Sequence, residues 1–560
     1  MADVPTRRRT GRGTRSGSGW APVGPDDAGL DEQPSPPPSR ARRLAVNTAI
    51  FAIATALSRV AGLGREVVQA NYFGTSGEGS AFTIASQIPN LFSNLFSQAA
   101  LGAAFVPIFT ELLQQGRRRE AFRLASSLFW LILVVLGALT LLYMGIAGIV
   151  MPLFTGTLTN AQTVLTTGLS RVLFPVVLLL SLTGLMVAIL QSYDQFTIPA
   201  LAPAVWNVVI IVGMVVLHTR FHGQNEVYSY AVAWLIATVV QMALVAWAMR
   251  RVDFKLSFHL DWRDPRVRQV LLLFFPVTLS IGIINLDIFI NAGFGALVSQ
   301  HAPIAINDAF RIYMLPQGIF SVAVATVLFP TLSRMASARN PGGMRRTLGN
   351  GIRQINLMLI PSAALLAVLA EPITRVVYQR GAFTAHSTHL VSTALLWFAF
   401  SLPFAGVNLL LTRTFFALQR PWIPTKLAGI NVVVDLIVSI ALYKPLGITG
   451  LVLGTVAANV VMTWLQLSRL RRGFNGRLEL GQTTMITSRI LVATALVTLL
   501  AWLLWRGLDS LLGGSFIAGV VELLIAGGVP ALIYARLVLL MRIPEATQVQ
   551  QLILGRVRGR

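Results

Sequence analysis

The sequence predicts an all-α integral membrane protein of about fourteen transmembrane helices, and three observations carry that reading. Apolar residues make up 54% of the 560-residue chain and charged residues only 12%, against roughly 25% charged in ordinary soluble domains. Runs of about 20 apolar residues, the length that crosses a hydrocarbon layer about 30 Å thick, recur from end to end. Basic residues collect in the connections between alternate runs, as they do in the cytoplasmic loops of polytopic proteins.

In chain order, residues 1–43 hold an RRR triplet, a GSG run and PSPPPS; such a composition cannot bury a core and reads as a disordered basic, Pro-rich tail. The apolar run that follows is too long for a cleaved signal sequence and reads as a retained first span. The expected span cores are 44–63, 81–109, 124–148, 170–190, 200–218, 228–249, 270–295, 309–332, 352–370, 390–411, 427–443, 448–468, 487–505 and 516–541. Their grouping predicts an N-terminal lobe at 44–249, a basic loop at 250–269, a C-terminal lobe at 270–470, two further helices at 487–541 and a basic tail at 542–560.

Arg117, Arg118 and Arg119 follow span 2, Arg250 to Arg268 follow span 6, and Arg334 to Arg346 follow span 8. Arg413, Arg420 and Lys426 surround the loop after span 10, and Arg469 to Arg477 follow span 12. An even number of spans with both termini cytoplasmic fits every cluster; only the loop after span 4, QSYDQFTI, is inside by count yet lacks basic residues.

A repeat runs through the same spans. Pro107 recurs as Pro330, Gln191 as Gln419, Pro199 as Pro424 and Asn207 as Asn431, at separations of 223, 228, 225 and 224 residues. A shift of six spans preserves orientation, so two six-helix lobes are expected to face each other across a central cavity, related by an axis along the membrane normal. Spans 13 and 14 fall outside the repeat.

The net charge of +23 does not point to nucleic acid, because the basic residues are dispersed between apolar runs and build no basic domain. The chain has no cysteine and only six scattered histidines, which excludes disulfides and thiolate chemistry and gives no HExxH-type metal motif. Outer loops mostly under about 20 residues leave little room for a catalytic domain. The expectation is a transporter working by alternating access, not an enzyme.

The candidate site residues are those too costly to leave facing lipid. An arginine at mid-membrane costs ~2.5–3.5 kcal/mol on insertion scales. Arg59 and Arg65 lie in or against span 1, and Arg311 lies early in span 8. They line a wet cavity for an anion, or they snorkel to the interface. Asp287 lies inside span 7, Asn431 and Asp435 share a face of span 11, and Thr455 of span 12 can add a hydroxyl. Such oxygens suit a hard cation such as sodium, protonation of an aspartate is a second coupling option, and interhelical hydrogen bonding is the bland alternative. Pro89, Pro276, Pro316 and Pro403 read as kinks, and Glu522 in span 14 has no role that the sequence supplies.

SRVAGLGREVVQANYFG at 58–74, IPNLFSNLF, AFVPIFTELL, RIYMLPQGIFSVAVATVLFPTLS and FFALQRPWIPTK together resemble the MurJ/MviN family of lipid II flippases, within the multidrug/oligosaccharidyl-lipid/polysaccharide exporter group. The resemblance runs from about residue 44 to 541. It implies fourteen helices, with helices 13 and 14 forming a groove for a polyprenyl tail. It also implies the cargo, undecaprenyl-pyrophosphate-linked disaccharide-pentapeptide, moved across a bacterial inner membrane, and cell-wall synthesis proteins as candidate partners.

Carried over by position, Arg59, Arg65 and Arg311 match family arginines thought to meet the pyrophosphate, which guanidinium forks suit. Asp287, Asn431, Asp435 and Thr455 match a family sodium site. The chain departs from the pattern at Ser93 and Asn94, which stand where the family usually has a basic pair, at Ser80 for an acidic residue, and at Gln98 for a glutamate. These losses leave open a flippase for another polyprenyl-linked glycan; a cation-coupled multidrug exporter is the other transporter reading, and a membrane-embedded enzyme or scaffold of envelope synthesis the reading from another class.

Overall fold

The computed structural model describes residues 38–95, 98–474, 480–513 and 515–547, and within these it is helical with no strand. The expected tail residues 1–37 and 548–560 lie outside them. Met1–Thr48 and Ala49–Arg560 separate as two units, and all packing below belongs to the second.

The first half holds α1 (Pro38–Phe73), α2 (Gly77–Leu95), α3 (Gln98–Gln114), α4 (Arg118–Val150), α5 (Asn160–Leu173), α6 (Pro175–Ser192), α7 (Thr197–His218) and α8 (Tyr228–Met249). The second holds α9 (Pro265–Val298), α10 (Ala302–Pro316), α11 (Val322–Ser337), α12 (Pro341–Val368), α13 (Ala370–Tyr378), α14 (Ala385–Ala417), α15 (Trp422–Leu446) and α16 (Ile448–Gly473). The C-terminal pair is α17 (Leu480–Leu512) and α18 (Phe516–Leu540). Among the described residues 11 helices are long and apolar enough to cross a membrane. The other three expected spans fall on α1, on α2 with α3, and on α9, each of which includes residues or side chains outside the described set.

Helix boundaries differ from the sequence expectation where local chemistry sets them. α9 begins at Pro265 rather than 270, because the Asp264 side chain accepts from the Arg266 N–H at 2.8 Å and proline occupies the first helical position. α1 runs on to Phe73, so Arg65 sits two turns inside the helix and not at its end. The eighth span is interrupted: after Pro316, which lacks an N–H, the ladder widens into a π turn at Gln317–Ser321 before α11 resumes.

The repeat is visible in the packing. α7 lies on α8 as α15 lies on α16, α6 on α4 and α8 as α14 on α12 and α16, and α3 on α6 as α11 on α14. Two backbone latches between the halves obey one offset of 225 residues. Ala382 N–H donates to Asn71 O at 2.9 Å, and Thr157 N–H donates to Ala296 O at 2.8 Å. Gly381 (φ 54°) and Gly156 (φ 45°) bring the loops in; a Cβ there would lie 2.4 Å from Asn71 O and 2.5 Å from Ala296 O. Left-handed φ and backbone contact both require glycine. Gly79 meets Ile304, its counterpart under the same offset, which puts the pseudo-axis between α2 and α10. Thr75 adds a hydroxyl contact to Ser387 at 2.8 Å, and His301 Nδ1 lies 2.5 Å from Thr75 O.

α17 and α18 pack on α12 and α13. At one end Arg375 of α13 pairs with Asp509 of α17 at 2.8 Å. At the other, buried Arg353 of α12 pairs with buried Glu545 just past α18, and Tyr534 Oη donates to Leu357 O at 2.8 Å. Ile543, Glu545 and Ala546 are buried, so the first residues of the expected basic tail are packed structure. Glu522 is fully buried on α18, with neither carboxylate oxygen hydrogen-bonded.

The latches can be tested in a chain with no native cysteine. Thr75→Cys, buried at the closed end, is expected to react slowly with a soluble maleimide in detergent micelles. Adding Gly156→Ala or Gly381→Ala should raise that rate about tenfold, since a non-glycine residue in the left-handed region costs ~1–2 kcal/mol before any clash; an unchanged rate would show that the latches do not hold the face shut.

Candidate functional site

Arg65 of α1 is the most enclosed arginine of the expected set, 6% exposed. Its Nη2 donates to Glu66 at 2.5 Å, and its guanidinium lies 5.2 Å from the rings of both Trp206 of α7 and Trp234 of α8. Trp206 is fixed in turn by an indole N–H bond to Thr238 Oγ1 at 3.1 Å. A cation in low dielectric thus has one carboxylate and two ring faces. Glu66, 4% exposed, also meets Arg311 of α10, whose Nε lies 3.5 Å from the same oxygen and whose side chain is 41% exposed. The sequence therefore brings Arg65 and Arg311 together from opposite halves, through a shared acid.

A crevice of about 20 Å³ opens beside this cluster, lined by Arg65, Glu66, Gln69, Arg311 and Asn307 and by a polar stripe of α2, Thr83, Ser86, Gln87 and Asn90. The stripe follows helical spacing, so one face of an otherwise apolar helix turns toward the charges. Arg65 Nε is buried without a hydrogen-bond partner, and Arg311 Nε has the 3.5 Å ion pair to Glu66 but no hydrogen bond, so the pair keeps donor capacity for an acceptor from outside the chain.

Thr83, Gln87 and Asn307 also line a much larger cavity of about 1010 Å³ bounded mainly by α10, α14, α15 and α16. It reaches from Pro303, near the latches, to Arg413, Pro421 and Trp422, at helix ends where basic residues collect. Along α14 alone its lining runs from Phe398 to Phe416, about 27 Å at helical rise. Aliphatic side chains and aromatic rings make most of the wall, with neutral amides such as Asn307, Asn408, Asn431 and Asn459 set among them.

Arg59 is exposed on α1, with Nη1 2.5 Å from the position a Cβ would take on Gly318 in the π turn. It reaches across to the second half but lines neither space. Ser93 and Asn94 sit in the last turn of α2, one turn past Asn90, and line neither space either; the Ser93 hydroxyl is buried without a partner. Ser80 is fully buried with an unpartnered hydroxyl.

Of the expected cation ligands, Asn431 and Thr455 both line the large cavity. Asp435, one turn beyond Asn431, is 2% exposed; it accepts from Asn291 Nδ2 at 2.7 Å and from Ser439 Oγ at 3.2 Å. Gly454 of α16 lets this carboxylate lie against the helix, since a Cβ would come within 2.4 Å of Asp435 Oδ1. Asn431 Oδ1 is buried without a donor. The Asp287 side chain lies outside the described residues. Among the described residues no three His, Cys, Asp or Glu side chains gather as a metal cluster.

Sequence reasoning missed Glu66, Trp206 and Trp234. Glu66 was legible, since a carboxylate beside a membrane arginine is the cheapest way to neutralise it. The tryptophans were not, because they reach Arg65 only through the fold of α7 and α8.

Two repeated helical halves, latched at one end around a largely apolar cavity that carries scattered amides, define a two-lobed membrane transporter. The sequence pattern of the lipid II flippase MurJ family matches residues 69–522. A lipid II flippase MurJ of Burkholderia cenocepacia is 31% identical over 68% of this chain and 75% of that protein. A probable lipid II flippase MurJ of Rhizobium meliloti is 29% identical over 80% of this chain and 85% of that protein. The fold matches a solved structure of the lipid II flippase MurJ in an inward closed conformation with TM-score 0.73, at 23% identity, over 88% of this chain and all of that one. An inward-facing multidrug resistance MATE family transporter of the MOP superfamily matches with TM-score 0.63 at 15% identity, over 73% and 94%. The chain belongs to the lipid II flippase MurJ family.

Removing Glu66 while leaving Arg65 buried is expected to destabilise the fold by about 3–5 kcal/mol, the range for breaking a buried ion pair from one side. Thermal unfolding of Glu66→Ala should show the loss, and the double variant Arg65→Met with Glu66→Leu should recover most of it.

Proposed function

We propose that this protein flips lipid II from the cytoplasmic to the outer leaflet of the bacterial inner membrane by alternating access. Family membership supports the cargo, and the single structural observation that carries the reading is the Arg65–Glu66–Arg311 cluster at a crevice shared with a 1010 Å³ cavity. Two guanidiniums with spare N–H donors suit a diphosphate. The amide- and ring-lined cavity offers hydrogen bonds and apolar faces to a disaccharide-pentapeptide. The exposed apolar faces of α17 and α18, including Leu499, Leu503, Leu524 and Leu532, suit a polyprenyl chain that stays in lipid. No covalent step is required.

The distribution of Lys and Arg supports cytoplasmic termini. With that orientation the latched end faces outward, and the cavity reaches the cytoplasmic side where the precursor is made. Residues 44–249 and 270–470 act as the moving lobes, with α17 and α18 carried by the second. Arg59, beside the π turn, serves as a third basic contact along the path, and Ser93 and Asn94 extend the α2 stripe with neutral groups.

Sodium is the coupling ion this reading favours. Asn431, Asp435 and Thr455, with Asp287, would hold it through oxygen ligands; the donorless, buried Asn431 Oδ1 is the observation that fits.

Arg65→Ala and Arg311→Ala are each expected to fail to rescue a strain depleted of its own lipid II flippase while reaching the membrane in normal amounts; full rescue by both would remove the anion site. Asp435→Ala should abolish the sodium dependence of thermal stability, and an unchanged sodium response would remove the ion site.

A further inference from the structure

The wall of the large cavity carries a single charge. Among the described residues Arg413 of α14 is the sole charged side chain that lines it; the other polar groups there are neutral amides and hydroxyls. Arg413 Nη1 donates to Thr326 Oγ1 of α11 at 3.2 Å, a partner that holds the guanidinium without cancelling its charge. Among the described residues no carboxylate lies within ion-pair distance of it. An arginine that snorkels to lipid stands on the outer face of its bundle. α14 is instead central to its lobe, packed on α10, α11, α12, α13 and α16, and the half-buried Arg413 meets the cavity.

Its position can be measured from the other cationic end. Phe310, the chain neighbour of Arg311, meets Phe398 of α14 edge to face with ring centroids 5.8 Å apart. Phe398 therefore marks the level of the Arg65–Arg311 crevice on α14. Arg413 lies about 22 Å further along the same helix at helical rise. The wall between them offers Asn408 of α14 and Asn459 of α16, joined by a 3.2 Å hydrogen bond, and Thr412 beside Arg413.

That distance fits the head group of the proposed cargo. Five extended residues span at most about 16–18 Å, and the sugar ring through which the peptide hangs from the diphosphate supplies the rest. The far end of the peptide is a carboxylate, ionised at neutral pH. A guanidinium fork can donate to both of its oxygens.

Resting on the lipid II reading, we propose that Arg413 is a second anion subsite, which takes the terminal carboxylate of the peptide while Arg65 and Arg311 hold the diphosphate. The two cationic ends then gauge the head group by its length. A precursor whose peptide is shorter, or whose end is uncharged, reaches the crevice but leaves Arg413 unpaired.

The test uses the full chain in detergent at low salt and the displacement of radiolabelled lipid II by three unlabelled competitors. These are lipid II itself, lipid II with its terminal carboxylate converted to a carboxamide, and lipid II shortened to a tripeptide. The wild type is expected to bind the first about tenfold more tightly than either analogue, the size of one charge-assisted contact, and the gap should narrow as salt rises. Arg413→Gln should lose the preference and bind all three alike, and Arg413→Lys, which keeps the charge, should recover part of it. Equal affinity of the wild type for lipid II and either analogue would overturn the inference, as would a preference that persists in Arg413→Gln; both results leave the flippase reading intact. No displacement by lipid II in the wild type would overturn the flippase reading, and this subsite with it.

Discussion

An arginine enclosed in a helix that borders hydrocarbon is tolerable only if its charge is met on the spot, and much of this structure can be traced to that constraint. Arg65 cannot snorkel from two turns inside α1. It is instead met by Glu66, by the ring faces of Trp206 and Trp234, and, through Glu66, by Arg311 of the opposite lobe. The arrangement neutralises the resting site without saturating it, because Arg65 Nε makes no hydrogen bond and Arg311 Nε only approaches Glu66 at 3.5 Å. It also makes the contact between lobes electrostatic at the centre and backbone-bonded at the closed end. An ion pair in a wet crevice can be exchanged for a ligand, whereas a backbone bond must be broken outright.

The helical class and the two-lobe repeat were legible because lipid leaves the chain few options: backbone groups must be satisfied within helices, and basic residues mark alternate connections. The 225-residue offset of the latches lies within the range already visible from Pro107, Gln191, Pro199 and Asn207. The site was half legible. Arginines in apolar runs announce themselves, so Arg65 and Arg311 could be named. Their pairing through Glu66 depends on α10 meeting α1 across the lobes, which no local pattern encodes. Arg59 could be named but not placed, since its neighbour Gly318 comes to it only through the π turn. The closing glycines, Gly156 and Gly381, were invisible for a different reason: glycine in a polar loop is ordinary until the opposing carbonyl is known.

The two halves have diverged most where they touch cargo or ions. α15 and α16 keep Asp435 and Asn431 with Gly454 opposite, and the large cavity lies mainly on that side. The first half has Asn207 at the position equivalent to Asn431, where its amide donates to Pro203 O at 3.0 Å. Its other conspicuous feature is the tryptophan pair that cradles Arg65. One lobe has become an arginine holder and the other a container. α17 and α18 are fastened to the container by ion pairs at both ends, so a chain lying along them would travel with that lobe.

The paired latches have a consequence for how the two faces of such a molecule can be tuned. A contact in which residue 71 meets 382 while 296 meets 157 is isologous, the kind a half-length chain would make with its own copy in a two-fold dimer. In such a dimer every substitution acts on both latches at once, and their strengths are locked together. Fusion into one chain removes that lock. Here Thr157 adds a hydroxyl bond to Ala296 O at 2.8 Å, and its counterpart at the other latch is Ala382, which has no hydroxyl to offer. The two edges of the closed face are therefore free to differ in chemistry: a threonine hydroxyl reinforces the backbone bond itself at Thr157–Ala296, whereas beside Asn71–Ala382 the added contact is between two side chains, Thr75 and Ser387.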